Sequence, residues 1–120
     1  SRYSFICELK DNQFSHYIVA KHMDKIVGYA GMWVIIDEAH VTNVGVLPEY
    51  RGEGVGEFLM RSLIAAAKER GANMMTLEVR KSNYVAQNLY SKLGFEPIGI
   101  RRGYYMDDRE DAVIMLKEPL

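Results

Sequence analysis

Tyr50-Arg51-Gly52-Glu53-Gly54-Val55-Gly56-Glu57-Phe58 joins a strand-like segment to an amphipathic helix, and the reading of this stretch decides the fold. Glycines let the backbone approach an anion closely. The first N–H groups of a helix have no internal partner and carry the positive end of its dipole. Arg51 adds a full positive charge beside them. The stretch is therefore a candidate phosphate-binding turn, against the plainer reading of a surface turn that opens a helix. Spacing removes two phosphate loops. A P-loop carries Lys-Ser/Thr after its last glycine, whereas Glu57 and Phe58 follow Gly56. A dinucleotide fingerprint needs G-x-G-x-x-G with an acid about twenty residues on; counted from Gly52 and Gly54, the third glycine would stand where Glu57 does. Glu78 is then a decoy for that motif.

Outward from the loop, apolar residues at Val55, Leu59, Leu63 and Ala66, flanked by Phe58 and Ala65, mark one face of a helix running to Arg70 and closed by Gly71. Before it lie three strand signals, Tyr17 to Lys21, Ile26 to Ile35 and His40 to Val46, with separations typical of antiparallel hairpins. Phe5 to Leu9 reads as the last turns of a helix that Asp11-Asn12 ends. After the long helix, Met74 to Val79 is a strand, and a helical crossover from the preceding strand makes the two parallel. Ser82 or Asn83 caps a second helix with Ala86, Leu89, Tyr90 and Leu93 on its buried face and Gly94 at its end. Phe95 to Arg101 and Ala112 to Leu116 are the last strands. Three strands, helix, strand, helix, two strands is an α/β order with a mixed, mostly antiparallel sheet and flanking helices.

The 120 residues suit a single domain with one core. Apolar runs are broken within about ten residues, where a membrane span needs about 20, and nothing resembles a signal peptide. One cysteine, Cys7, builds neither a disulfide framework nor a thiolate metal cluster, and His16, His22 and His40 share no ligand spacing, so no metal is expected. A net charge of −1 argues against non-specific nucleic-acid binding. A cytoplasmic protein, monomeric or weakly dimeric, is the expectation.

Arg51-x-x-Gly54-x-Gly56 resembles the pyrophosphate loop, Q/R-x-x-G-x-G/A, of the GCN5-related N-acetyltransferase (GNAT) family. The likeness extends along the chain through Asp37-Glu38-Ala39-His40-Val41-Thr42-Asn43, Leu77-Glu78-Val79-Arg80 with Ser82-Asn83, Leu89-Tyr90-Ser91-Lys92-Leu93-Gly94-Phe95, and Arg101-Arg102-Gly103-Tyr104-Tyr105 leading to Arg109-Glu110-Asp111-Ala112. These motifs are most similar to those of the RimI-type protein N-terminal acetyltransferases. The resemblance implies the GNAT acyl-CoA N-acyltransferase fold, acetyl-CoA as co-substrate, and a protein N-terminus as acceptor, specifically the N-terminal alanine of a small-subunit ribosomal protein. Family members usually begin with a strand and one or two helices, so the resemblance also implies that the N-terminal strand and helix region is partly missing here. Gly45 departs from the pattern, where relatives more often carry alanine.

Acetyl transfer from a thioester to an amine needs a neutral amine, a site for the oxyanion and a proton for the departing thiolate. An α-amine has a pKa near 8 and a lysine near 10.4, so at pH 7 about a tenth of the former is neutral but well under about 0.1% of the latter. By resemblance Glu78 is the base, acting through a water, and Tyr90 the acid. Each has a plainer reading, Glu78 as an alternating strand carboxylate and Tyr90 as core. Asn83 resembles a cofactor-contacting asparagine and is equally a helix cap. Val44, Gly45 and Val46 would present backbone groups to the pantetheine, while Arg51, Gly52, Glu53, Gly54, Val55, Gly56 and Glu57 would hold the pyrophosphate, with the Glu57 carboxylate turned away. Tyr104 and Tyr105 would wall the peptide slot, or simply pack. Asp107, Asp108, Glu110 and Asp111 form an acidic cluster that reads as a solvated loop or a lure for a basic N-terminal segment. A transferase for lysine or small amines and a CoA-binding regulatory domain without catalysis are the alternatives. Retention of Glu78 and Tyr90 counts against the last, and the tyrosine pair favours a peptide over a small amine.

Overall fold

In β2 (Ser15–His22), His16, Ile18 and Ala20 are buried and Tyr17 is exposed, the period-two signature of a strand with one face on a core. A computed structural model describes residues 4–11 and 15–120. The other elements are β1 (Ile6–Asp11), β3 (Lys25–Ile35), β4 (Glu38–Val46), a 3-10 turn at Pro48–Tyr50, α1 (Val55–Glu69), β5 (Met74–Arg80), α2 (Tyr84–Lys92), β6 (Glu96–Arg101) and β7 (Ala112–Lys117). The described strands form one mixed sheet in the order β1-β2-β3-β4-β5-β7-β6. Among the described residues only β4 and β5 pair in parallel, as the α1 crossover between them requires.

Four strands precede α1, where the sequence reading counts three. Ile6 to Asp11 pairs antiparallel with β2, from Ile6 opposite Lys21 to Asp11 opposite His16, and is not the end of a helix. Phe5 and Leu9 are four apart, which suits a helical face, but the unpaired edge of β2 supplies a ladder that a short isolated helix cannot match. Ile6 is 70% exposed, so pairing rather than burial holds this edge, aided by the Lys21–Glu8 ion pair at 2.8 Å. Asn12 lies outside the described residues.

α1 covers β2, β3 and β4 with Val55, Leu59, Met60, Leu63, Ala66 and Ala67. The expected stripe of Val55, Leu59, Leu63 and Ala66 is buried, but its flank is Met60 and Ala67, while Ala65 is exposed. Each fully buried Leu or Met contributes about 1.5–3 kcal/mol, and Leu59, Met60 and Leu63 are all fully buried. The core continues through Met75, Leu77 and Val79 of β5 to Tyr90, Leu93 and Phe95. Thr76, Glu78 and Arg80 therefore lie on the opposite face of β5.

Candidate active site

Parallel pairing between β4 and β5 lasts three rungs, from Glu38 opposite Met74 to His40 opposite Thr76. Beyond them β4 continues to Val46 and β5 to Arg80 with no rung between. At the divergence β4 carries a bulge: its register against β3 steps from Gly31–Asn43 to Met32–Val41 and leaves Thr42 as the extra residue. A bulge bends a strand and interrupts its ladder. A cleft of about 300 Å³ opens there, with Val44 on one wall, Glu78 and Arg80 on the other, and Asn83, Tyr90 and Tyr105 closing it. On the other side a cavity of about 390 Å³ is lined by Trp33, His40, Tyr104 and again Glu78 and Tyr105. Glu78 lines both, as do Val41, Thr42 and Tyr105.

The glycine turn lies between β4 and α1. Gly52 and Gly54 have φ of 79° and 86°, the left-handed region glycine enters without steric cost. Gly54 is the N-cap of α1 and supplies no side-chain cap. Among the described residues, the amides of Gly52, Gly54, Val55, Gly56 and Glu57 have no backbone acceptor. Such a row of donors at a helix N-terminus fits a pyrophosphate. The Val55 side chain is buried in the core, so only its backbone can serve that purpose. Glu57 points its carboxylate at Lys92, 2.8 Å away on α2, and Arg61, 2.9 Å away; these bonds, Lys92 first, hold its pKa down and tie the two helices together.

Not every candidate gathers at the split. Gly45, Val46 and Arg51 line a separate recess with Tyr29. There the Gly45 departure has a steric reason, because a Cβ at this position would lie 2.5 Å from the Tyr29 ring. Asn83 caps α2 by accepting from the Ala86 amide at 3.1 Å, which leaves its NH₂ group for the cleft. Tyr90 packs edge-on against Phe95, as its core reading expects, and also lines the cleft. Burial raises its pKa, and Tyr105 adds to the shift. Tyr104 and Tyr105 meet at right angles.

The acidic cluster is spent within the fold. Arg80 donates to Asp107, Asp108 and Glu110 at 2.9–3.2 Å, and its guanidinium sits 4.1 Å from the Tyr105 ring centroid. Glu110 also accepts from the Ser82 amide at 2.7 Å, and Asp111 from the Gly103 amide at 2.8 Å. The carboxylates raise the Arg80 pKa further, while Arg80 lowers that of Asp107. Arg80 is thus a clamp that fixes the tyrosine loop over the cleft, a role the sequence reading did not assign.

That reading also missed His40, Thr76 and Arg101. His40 Nε2 is 3.1 Å from Glu78 Oε2, and Arg101 Nε is 3.4 Å from Glu78 Oε1. The available signal was alternation: Ala39 and Val41 are buried, which turns His40 to the face where Thr76 and Glu78 lie on the parallel neighbour.

A mostly antiparallel sheet split between its two parallel strands, with free amides at a helix N-terminus and a carboxylate and a phenol in the gap, defines an acyl transferase that takes its acyl group from a phosphate-bearing carrier. The chain belongs to the GNAT family of acetyltransferases, whose model matches residues 1–95. It is similar to the crystal structure of the Escherichia coli ribosomal-protein-alanine N-acetyltransferase, with TM-score 0.84 and 37% identity over 91% of this chain and 72% of that one. A Bacillus subtilis protein provisionally given the same activity, toward ribosomal protein bS18, is 47% identical over 112 residues, which are 93% of this chain and 74% of that protein. The fold is shared by a GNAT acetyltransferase of Elizabethkingia anophelis solved with acetyl-CoA bound, with TM-score 0.81, 20% identity, and coverage of 87% of this chain and 76% of that one.

If the glycine turn holds the pyrophosphate, Gly54→Val should weaken acetyl-CoA binding about 10- to 100-fold, the worth of one charge-assisted hydrogen bond. A β-branched residue at positive φ should also lower stability by about 1–2 kcal/mol. Calorimetry showing wild-type affinity in the folded variant would remove the turn from the site.

Proposed function

We propose that this chain is an acetyl-CoA-dependent protein N-terminal acetyltransferase acting on the N-terminal alanine of a small-subunit ribosomal protein, and hence cytoplasmic. The observation that carries the reading is that Glu78 lines two cavities, one shared with Val44, Asn83 and Tyr90, the other walled by aromatic side chains. The relatives named for alanine N-acetylation support the choice of acceptor.

Acetyl-CoA, as co-substrate, supplies a thioester. The amides of Gly52, Gly54, Val55, Gly56 and Glu57 hold its pyrophosphate, the stretch of β4 around Val44 with no rung to β5 offers backbone groups to the pantetheine, and the NH₂ of Asn83 faces the same cleft as Val44. Glu78 takes a proton from the α-amine through a water, and the amine nitrogen bonds to the acetyl carbon. As the C–S bond breaks, Tyr90 gives its proton to the thiolate sulfur. Tyr104 and Tyr105 wall the acceptor cavity, and Arg80 keeps them there.

A slot of this kind favours a chain end whose neutral form is already populated near pH 7 over a lysine, which is about two pKa units more basic. Matched peptides test the acceptor, one with a free alanine terminus and no lysine, one with a blocked terminus and an internal lysine. Transfer to the first is expected to dominate; equal or faster transfer to the second would overturn the acceptor while leaving the family intact.

A further inference from the structure

We propose that His40 is the positioning residue for Glu78, held in a single tautomer by Thr76 and a single ring plane by Trp33. The inference rests on Glu78 being the base. His40 and Thr76 face each other on the last rung before the strands part. His40 Nδ1 is 2.7 Å from Thr76 Oγ1, and its Nε2 is 3.1 Å from Glu78 Oε2. Trp33, opposite His40 on β3, stacks on the ring at 5.2 Å between centroids and 28° between planes. A carboxylate only accepts hydrogen bonds, so Nε2 carries the hydrogen and donates it to Glu78. In the neutral ring Nδ1 is then an acceptor, and the Thr76 hydroxyl donates to it. Three elements thus converge to present one N–H to one carboxylate oxygen.

The second Glu78 oxygen faces Arg101 of β6 at 3.4 Å. With His40 and Arg101 each on one oxygen, the carboxylate plane is set between the cavities. Without His40, Arg101 is the remaining donor to Glu78 among the described residues and draws it toward β6. Tyr104 and Tyr105 share the cavity but make no hydrogen bond to Glu78 among the described residues, so neither replaces the lost donor. His40 acts through Glu78 and touches neither reacting atom.

Steady-state kinetics with acetyl-CoA and an alanine-terminated peptide test this in His40→Ala, His40→Gln and Thr76→Val, and in His40→Ala combined with Glu78→Gln. Loss of a donor to a charged group and the resulting misplacement should lower kcat about 10- to 100-fold in His40→Ala, with the KM for acetyl-CoA near the wild-type value. His40→Gln, whose amide reaches the Nε2 position, should restore most of that loss, and Thr76→Val should lose less than His40→Ala. In the Glu78→Gln background His40→Ala should cost nothing further, because the group it positions is gone. The same fold-loss in both backgrounds, or a folded His40→Gln no better than His40→Ala, would overturn the role of His40. If Glu78→Gln alone keeps wild-type turnover, the base assignment falls and this one with it. If Glu78→Gln is impaired and His40→Ala is not, only His40 is excluded.

Discussion

Glu78→Gln should lower kcat roughly 10²–10⁴-fold, the usual worth of a positioned base, and leave acetyl-CoA affinity near wild type. The substitution keeps the side chain's shape and an oxygen for the His40 N–H, while it removes the capacity to take a proton and sets an NH₂ group opposite Arg101 in place of the second oxygen. Its effect falls on the acceptor amine, because the amides of the glycine turn lie elsewhere in the fold. The sign of the pH dependence follows from the amine. As pH rises toward and past about 8, more α-amine is already neutral, so the variant's deficit should shrink with increasing pH. A kcat profile for Glu78→Gln that runs parallel to the wild type across that range would take Glu78 out of the mechanism.

Much of the fold was legible because its signals are local. Period-two burial in β2 and β5, the 3.6-residue stripe of α1 and the glycines at the turn are each readable within a dozen residues, and the parallel pairing follows from the crossover. β1 was not legible. Its conformation is set by the free edge of β2, and a tertiary ladder overrode the spacing of Phe5 and Leu9. The site divides in the same way. Glu78, Tyr90 and Asn83 stand in contiguous motifs and were found through them. His40 joins Glu78 only when β4 and β5 are laid in register, and Arg80 meets its acids across 27 to 30 residues of chain. Those partners depend on where the strands end and how the loop returns, which no short window contains. Gly45 is the same kind of case, since its reason is the Tyr29 ring on the neighbouring strand.

Tyr90 has a core reading and a chemical one, and Tyr90→Phe separates the two. The ring keeps its contact with Phe95 and its place in the core, so the melting temperature should stay close to wild type. Only the hydroxyl goes, and with it the proton for the CoA sulfur. Burial raises the Tyr90 pKa above its ordinary value. That shift keeps the phenol protonated through neutral and mildly alkaline pH, so the donor is present whenever a thiolate forms. It also makes the phenol a weaker acid, and transfer to a thiolate, whose conjugate thiol has a pKa near 8.5, is uphill unless the two are in contact. Tyr90 lines the cleft proposed for the thioester, where such contact would be made. Losing a general acid should then cost about 10²–10⁴-fold in kcat, with acetyl-CoA affinity unchanged. If Tyr90 gives a proton and Glu78 takes one, the Tyr90→Phe deficit should not shrink between about pH 7 and 9, unlike that of Glu78→Gln, whose rescue comes from the amine. Wild-type turnover in a folded, acetyl-CoA-binding Tyr90→Phe would assign the residue to packing alone and send the search for the acid elsewhere in the cleft.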